Sequence, residues 1–133
     1  MFSGFTPMDW LMFAAAIVLG VAFLVAGLAK LAVHRSTLMH QPLTAWTADF
    51  APLTVKVIGL IEVLAAIGIV AGFFFVANPS NPILLIPLCS AILAIDQVVA
   101  ILVHLRRQEP GQLLLNVVLL ALALFVLITP WVY

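Results

Sequence analysis

The feature that most constrains this chain is a carboxylate inside an apolar helix. Residues 55–76 read VKVIGLIEVLAAIGIVAGFFFV, a stretch apolar enough to lie in lipid, and Glu62 falls well inside it. A charged side chain at the centre of a membrane-spanning helix costs about 2.5–3.5 kcal/mol on insertion scales. Glu62 therefore requires a charged or hydrogen-bonding partner or a functional role. The fold must place its side chain against other helices and not against lipid.

The composition predicts an integral membrane protein. The chain is 66% hydrophobic and only 8% charged, and its mean hydropathy is +1.33. Soluble domains are about 45–50% apolar and about 25% charged, so this chain has too few polar groups to cover a soluble surface. The zero net charge gives no indication of a nucleic-acid partner, and the single cysteine, Cys89, excludes an intramolecular disulfide.

Four apolar runs predict four membrane-spanning helices. They cover about residues 10–33, 54–77, 83–105 and 112–129. Each run is long enough to cross a bilayer as a helix. We therefore predict an all-α fold, an integral membrane four-helix transmembrane bundle formed by one domain over residues 1–133.

The long connection between the first two spans has its own pattern. Leu43, Trp46 and Phe50 recur at spacings of three and four, which places them on one helical face. This pattern predicts a short interfacial helix at about residues 42–51, lying in the headgroup region. A plain loop anchored by Trp46 is the alternative.

The basic residues predict the topology. With four spans, every Lys and Arg falls at the same membrane face: Lys30, Arg35, Lys56, Arg106 and Arg107. Three or five spans would divide these charges between the two faces. Because Lys and Arg are enriched in cytoplasmic loops, we expect a multi-pass protein of the cell membrane with both termini on the extracytoplasmic side.

Two buried acids fall at one depth. Counted from the ends of the spans that carry the basic residues, Glu62 and Asp96 are both about 12–13 Å deep, and Lys30 is about 6–8 Å nearer the surface. We predict a polar network or ligand site formed by Lys30, Glu62, Asp96, His104 and Asn116. Its mouth is predicted to hold Lys56, Arg106 and Glu109.

Three interpretations of this polar group stay open. Lys30 pairs with Glu62 or Asp96 and the network only fixes packing. Alternatively, the group forms the floor of a cavity for a small amphiphile, such as a quinone or a lipid headgroup. In the third interpretation the carboxylates relay protons or an ion.

Other chemistry has little support in the sequence. A haem requires histidines that face each other across helices, whereas His34, His40 and His104 all fall at one edge of the predicted bundle. No phosphate-binding loop, nucleophile elbow or zinc spacing occurs in the sequence. We therefore predict no metal site and no covalently bound cofactor, and we assign no catalytic residue.

Three sequence blocks carry a family resemblance. They are GLAKL at 27–31, GLIE at 59–62 followed by Gly68, and HLRRQE at 104–109. In order and spacing these blocks resemble the DoxX-like family of small four-helix membrane proteins. On this chain the resemblance places family polar positions at Lys30, Glu62, His104, Arg106 and Glu109. Asp96 is not part of the match.

The resemblance also implies a functional setting. DoxX-like proteins are similar to the small membrane subunits of quinone-linked thiosulfate or terminal-oxidase systems, and other members act as accessory or assembly factors. We expect a small accessory subunit of a quinone-linked redox system that contacts membrane lipids and works with a membrane or redox partner protein. An assembly chaperone or scaffold and a small proton-coupled or lipid transporter are the alternatives, and the sequence permits a homodimer.

Overall fold

The protein is an all-α membrane bundle. The computed structural model describes residues 6–75 and 85–132. The helices are α1 (Pro7–Ala32), α2 (Arg35–Leu38), a 3-10 helix (Ala45–Asp49), α3 (Pro52–Phe75), α4 (Leu85–Arg107) and α5 (Pro110–Val132). Among the described residues α1, α3, α4 and α5 are long and apolar enough to cross a membrane, which confirms the predicted fold class.

Three of the long helices, α1, α3 and α5, begin two or three residues earlier than the predicted spans. The helix α1 begins at Pro7 because Thr6 and Asp9 form a reciprocal cap, in which each side chain accepts a hydrogen bond from the backbone N–H of the other. Pro52 and Pro110 likewise stand at the first positions of α3 and α5, where a missing N–H removes no hydrogen bond. The predicted span ends at residues 77 and 83 lie outside the described residues.

The connection after α1 is divided differently from the prediction. A helix over 42–51 was expected, but the structure has the short α2 and, farther on, the 3-10 helix. The hydroxyl of Thr44 donates to the carbonyl of Leu38 at 2.7 Å, and that of Thr47 donates to the carbonyl of Thr44 at 2.7 Å. These bonds hold the segment in consecutive tight turns in place of one continuous helix.

α1 and α3 approach each other closely through glycines. Gly27 of α1 meets Gly59 and Val63 of α3, while Gly20 meets Val70. Because the α3 numbers rise as the α1 numbers fall, the two helices are antiparallel. A Cβ on Gly27 would lie 2.6 Å from the carbonyl oxygen of Gly59, so only glycine permits this backbone contact.

The two ends of the bundle differ in the residues that they bury. α4 packs against both α3 and α5, and α5 returns to α1, which closes the bundle. One end is a continuous apolar core, centred on Leu19, Phe23, Ile69, Leu93 and Val126. The other end holds Lys30, Arg35, Lys56, Arg106 and Arg107, and we call it the basic end.

The outer surface of the bundle is apolar. Side chains such as Val21, Val25, Leu64, Ile95 and Leu114 are more than half exposed on the spanning helices. Apolar patches of this extent on a soluble monomer would be an aggregation hazard, whereas they are the expected surface of a protein in contact with lipid.

Replacing Gly27 by Ala tests the α1–α3 contact. The added methyl group would meet the backbone of α3, and overpacking of this kind costs about 1–3 kcal/mol. We expect a lower thermal unfolding midpoint in detergent, followed by circular dichroism. Gly111→Ala is the matched control because a Cβ there meets no atom within 4 Å. Equal midpoints for the two variants would contradict the close approach.

Candidate functional site

A cavity of about 410 Å³ lies at the basic end of the bundle. All four long helices and the connection between α1 and α3 contribute to its wall. The polar side chains in this wall are those of Lys30, Gln41, Thr44, Glu62, Asp96, Gln97, His104, Gln112 and Asn116. The aromatic side chains are those of Phe23, Trp46 and Phe50. The cavity therefore combines buried charge with aromatic surface.

The central contact is an ion pair between α1 and α3. The Nζ of Lys30 lies 2.8 Å from the Oε1 of Glu62, and their side chains are only 9% and 3% exposed. The close contact of Gly27 with Gly59 makes room for this pair. A Cβ on Gly59 would lie 2.8 Å from the Cβ of Lys30, so a larger residue there would displace Lys30. The same ammonium group lies 5.6 Å from the ring centroid of Trp46, which adds a cation–π contact.

Asp96 brings a second carboxylate to the cavity. Its Oδ2 accepts a hydrogen bond of 3.2 Å from the Nε2 of Gln97, and Asp96 lies in the same wall as Lys30 and Glu62. Gln97 is only 4% exposed. Its Oε1 is buried and accepts no hydrogen bond from the described residues. This wall thus contains two carboxyl groups and one ammonium group.

A second polar cluster adjoins the cavity where α4 ends. The Nδ1 of buried His104 lies 3.0 Å from the Oε1 of Glu109. The same carboxylate accepts a 3.0 Å hydrogen bond from the Nε of Arg107, whose Nη1 contacts the Oδ2 of Asp49 at 2.7 Å. We call Glu109, Arg107 and Asp49 the rim cluster.

The turn between α4 and α5 places Glu109 beside His104. Gln108 adopts φ 57, the left-handed conformation that commonly ends a helix. This reversal lets the backbone N–H of Glu109 donate to the carbonyl of His104 at 3.0 Å. The Glu109 side chain is thereby held within reach of the imidazole.

The connection closes the basic end of the cavity. The Nη2 of Arg35 donates to the carbonyl of Phe50 at 3.0 Å, and the Nε2 of Gln112 donates to the carbonyl of Pro42 at 3.0 Å. The Gln112 bond and the Arg107–Asp49 ion pair fasten the connection to α5 and α4, and the Arg35 bond ties its two ends together. The fastening turns Trp46 and Phe50 toward the cavity, with their rings edge to face at 5.6 Å between centroids.

The structure brings together the five residues predicted to form the network. Lys30, Glu62, Asp96, His104 and Asn116 all contribute to the same cavity wall. Asn116 is 8% exposed and forms no hydrogen bond with a described residue. The function of all five stays a prediction.

The predicted mouth is only partly reproduced. Glu109 contacts His104, but Lys56 and Arg106 are exposed and do not contribute to the cavity wall. The Nζ of Lys56 instead donates to the carbonyl of Leu31 at 3.2 Å. Both side chains therefore lie on the outer surface of the bundle and not in the cavity.

Sequence reasoning missed Gln97 as a site residue. Gln97 precedes His104 by seven residues, which is two helical turns, so the two side chains share one face of α4. That spacing is the signal that could have found it. The sequence predicts Trp46 and Phe50 on one face of an interfacial helix, and it gives no indication that both also form part of the cavity wall. Among the described residues no group of three His, Cys, Asp or Glu side chains could hold a metal ion.

The fold and the cavity define a small four-helix membrane protein with a polar site at one end. The sequence model of the DoxX-like family matches residues 14–126, and the chain belongs to this family. No curated protein and no solved structure matched the chain.

Replacing Lys30 by Met tests the charge balance of the cavity. This variant leaves Glu62 and Asp96 without a cation, whereas Glu62→Gln leaves one ammonium group and one carboxylate. We expect Lys30→Met to lose about 3–5 kcal/mol of unfolding free energy, the usual loss when a buried pair is broken from one side. Glu62→Gln is expected to lose much less.

Unfolding in a denaturing detergent, followed by circular dichroism, measures both variants. A Lys30→Met/Glu62→Gln double variant is the further control, because removing the partner carboxylate reduces the uncompensated charge and should recover part of the loss. If the two single variants are equally destabilised, the charge balance described above is incorrect.

Proposed function

We propose that this protein is an accessory membrane subunit whose cavity binds the head of a quinone. The observation that carries the proposal is a buried Lys30–Glu62 ion pair that faces a cavity of about 410 Å³ walled partly by aromatic rings. Pockets for small ligands are mostly apolar, with a few polar groups that fix orientation.

The size and polarity of the cavity fit a ring with carbonyl groups. The volume lies in the range of about 300–1,000 Å³ that is usual for small-molecule pockets. Lys30, His104 and Asn116 come from three different helices and offer hydrogen-bond donors from different directions. A quinone carries two carbonyl acceptors on opposite sides of its ring, so two such donors can hold it. Trp46 and Phe50 supply aromatic surface for stacking.

Several apolar residues connect the cavity wall with the lipid-facing surface. Val25, Leu43, Val99 and Leu115 contribute to the cavity wall. Their exposed fractions are 64%, 60%, 49% and 47%. This continuity supports a ligand with an apolar tail, since the tail can extend between the helices into the bilayer. A purely aqueous ligand would have no use for such an opening.

The accessory role rests on the chemistry of quinones and on the family. A quinone exchanges two electrons and two protons, so its use requires a membrane or redox partner protein that supplies or accepts the electrons. The association of DoxX-like proteins with oxidoreductases agrees with this role. The scaffold and transporter alternatives stay predictions.

Fluorescence of Trp46 provides the test. The chain has three tryptophans, so a Trp10→Phe/Trp131→Phe background leaves Trp46 as the reporter in the cavity wall. Titration of the detergent-purified protein with a short-chain ubiquinone should quench this fluorescence to saturation. Asn116→Leu should weaken the affinity by about fivefold to tenfold, the equivalent of one lost hydrogen bond.

Ser90→Ala is the matched control for that titration. Ser90 is buried away from the cavity, and its hydroxyl donates to the carbonyl of Ile86 in its own helix at 2.8 Å. This variant should bind like the parent. Quenching that rises linearly with concentration, or that is identical in Asn116→Leu, would remove the basis for a quinone site. Mass spectrometry of co-purified molecules then distinguishes a phospholipid from a quinone.

The orientation in the membrane is part of the same proposal. All five basic residues belong to the basic end, and the bias of Lys and Arg toward cytoplasmic loops places that end in the cytoplasm. A reporter fused after Tyr133 should then be active as alkaline phosphatase and dark as green fluorescent protein. The opposite pair of signals would place the C-terminus in the cytoplasm and refute the orientation.

A further inference from the structure

Two clusters at the basic end have the same imbalance of charge. In the cavity, Lys30 forms an ion pair with Glu62, and Asp96 is a second carboxyl group in the same wall. In the rim cluster, Arg107 contacts both Asp49 and Glu109. Each cluster thus has two carboxyl groups and one cation within the described part of the chain.

The second carboxylate is more unfavourable in the buried cavity than in the more exposed rim cluster. The Glu62 side chain is 3% exposed, and the wall around both acids is built from the interior of a membrane bundle. A second uncompensated negative charge in such a place is strongly unfavourable, whereas a neutral carboxylic acid is not. The simplest way to balance the cavity is for Glu62 and Asp96 to share one bound proton, as paired carboxylates do.

His104 stands between the two clusters. It is 5% exposed and contributes to the cavity wall. Its Nδ1 lies 3.0 Å from the Oε1 of Glu109, while its Nε2 has no hydrogen-bond partner among the described residues. A neutral imidazole can accept a proton on one ring nitrogen and release one from the other.

The charged groups around His104 come from every element packed there. Lys30 on α1 and Glu62 on α3 face it across the cavity, and Asp96 lies two turns earlier on its own helix. Arg107 reaches Glu109 from the end of α4. From the connection, Asp49 pairs with Arg107, and Arg35 is bonded to the carbonyl of Phe50. Arg106 at the end of α4 is exposed.

We propose that His104 passes protons between the rim cluster and the carboxyl groups of the cavity. A proton from water binds the side chain of Glu109, which is 18% exposed. Glu109 transfers it to Nδ1 of His104 in the tautomer that carries its hydrogen on Nε2. The Nε2–H proton then passes through water in the cavity of about 410 Å³ to Asp96 or Glu62, and the imidazole stays neutral overall. Reversal of these transfers returns the proton to the surface. The cavity therefore exchanges one proton with the basic end, whether or not its ligand is a quinone.

Infrared spectroscopy tests this without any ligand. A protonated carboxylic acid has a carbonyl stretch that is resolved from ionised carboxylates, and the chain has only five Asp and Glu residues. In lipid nanodiscs, a step in pH should change this band by one carboxyl group per protein. Asp96→Asn or Glu62→Gln should abolish the change, because each leaves Lys30 with a single carboxylate partner.

The rate at which this carbonyl band appears after a change in pH tests the proton path through His104. After a light-triggered pH jump, His104→Phe should slow its appearance by about a hundredfold, the lower end of what a positioned acid–base group contributes. Glu109→Gln keeps a side chain that can accept a hydrogen bond from His104 but cannot carry a proton, so it should slow the band as well. This variant covers the case in which His104→Phe does not fold.

His40→Phe is the matched control for the path. His40 is exposed on the connection and bonds the carbonyl of Ser36, away from the cavity. It should leave the rate unchanged. Absence of a titrating carboxyl band in the parent protein would overturn the shared proton. A band that appears at the parental rate in Glu109→Gln would overturn the path through His104. Neither outcome depends on whether ubiquinone quenches Trp46.

Discussion

The ion pair between Lys30 and Glu62 is the contact on which the basic end depends. Two opposite charges 2.8 Å apart, almost without exposure, attract each other strongly in a medium of low dielectric constant. Desolvation opposes that attraction, so a pair of this kind gives little net stability. Its effect is on specificity, because another register of α1 against α3 would separate Lys30 from Glu62. The pair therefore fixes how these two helices meet.

The pair in turn depends on small residues elsewhere in the same interface. Gly27 and Gly59 bring the backbones of α1 and α3 together, and the missing side chain at Gly59 leaves the path that Lys30 follows. Gly27 precedes Lys30 by three residues, so the backbone contact and the ion pair belong to the same stretch of the interface. The cavity lies beside this stretch and is completed by α4 and α5.

The sequence predicted the fold better than the details of the site. Apolar runs of membrane-spanning length sufficed for the four helices, and the equal depth of Glu62 and Asp96 followed from helical rise alone. The path of the connection could not be derived in this way, since it depends on hydrogen bonds to distant residues, such as that from Arg35 to Phe50. Gln97 was not predicted because burying an uncharged amide costs much less than burying a charge, so an amide in a spanning helix does not by itself indicate a site.

The fastening of the connection to α4 and α5 has a consequence for how molecules reach the interior. Arg107 bonds Asp49 and Gln112 bonds the carbonyl of Pro42, so the connection is held across the basic end. A molecule arriving from water would have to pass this fastened segment, whereas one dissolved among the acyl chains meets aliphatic side chains such as Val25 and Leu115. Occupancy would then follow the pool partitioned into the bilayer, supplied by lateral diffusion, and would be insensitive to aqueous solubility.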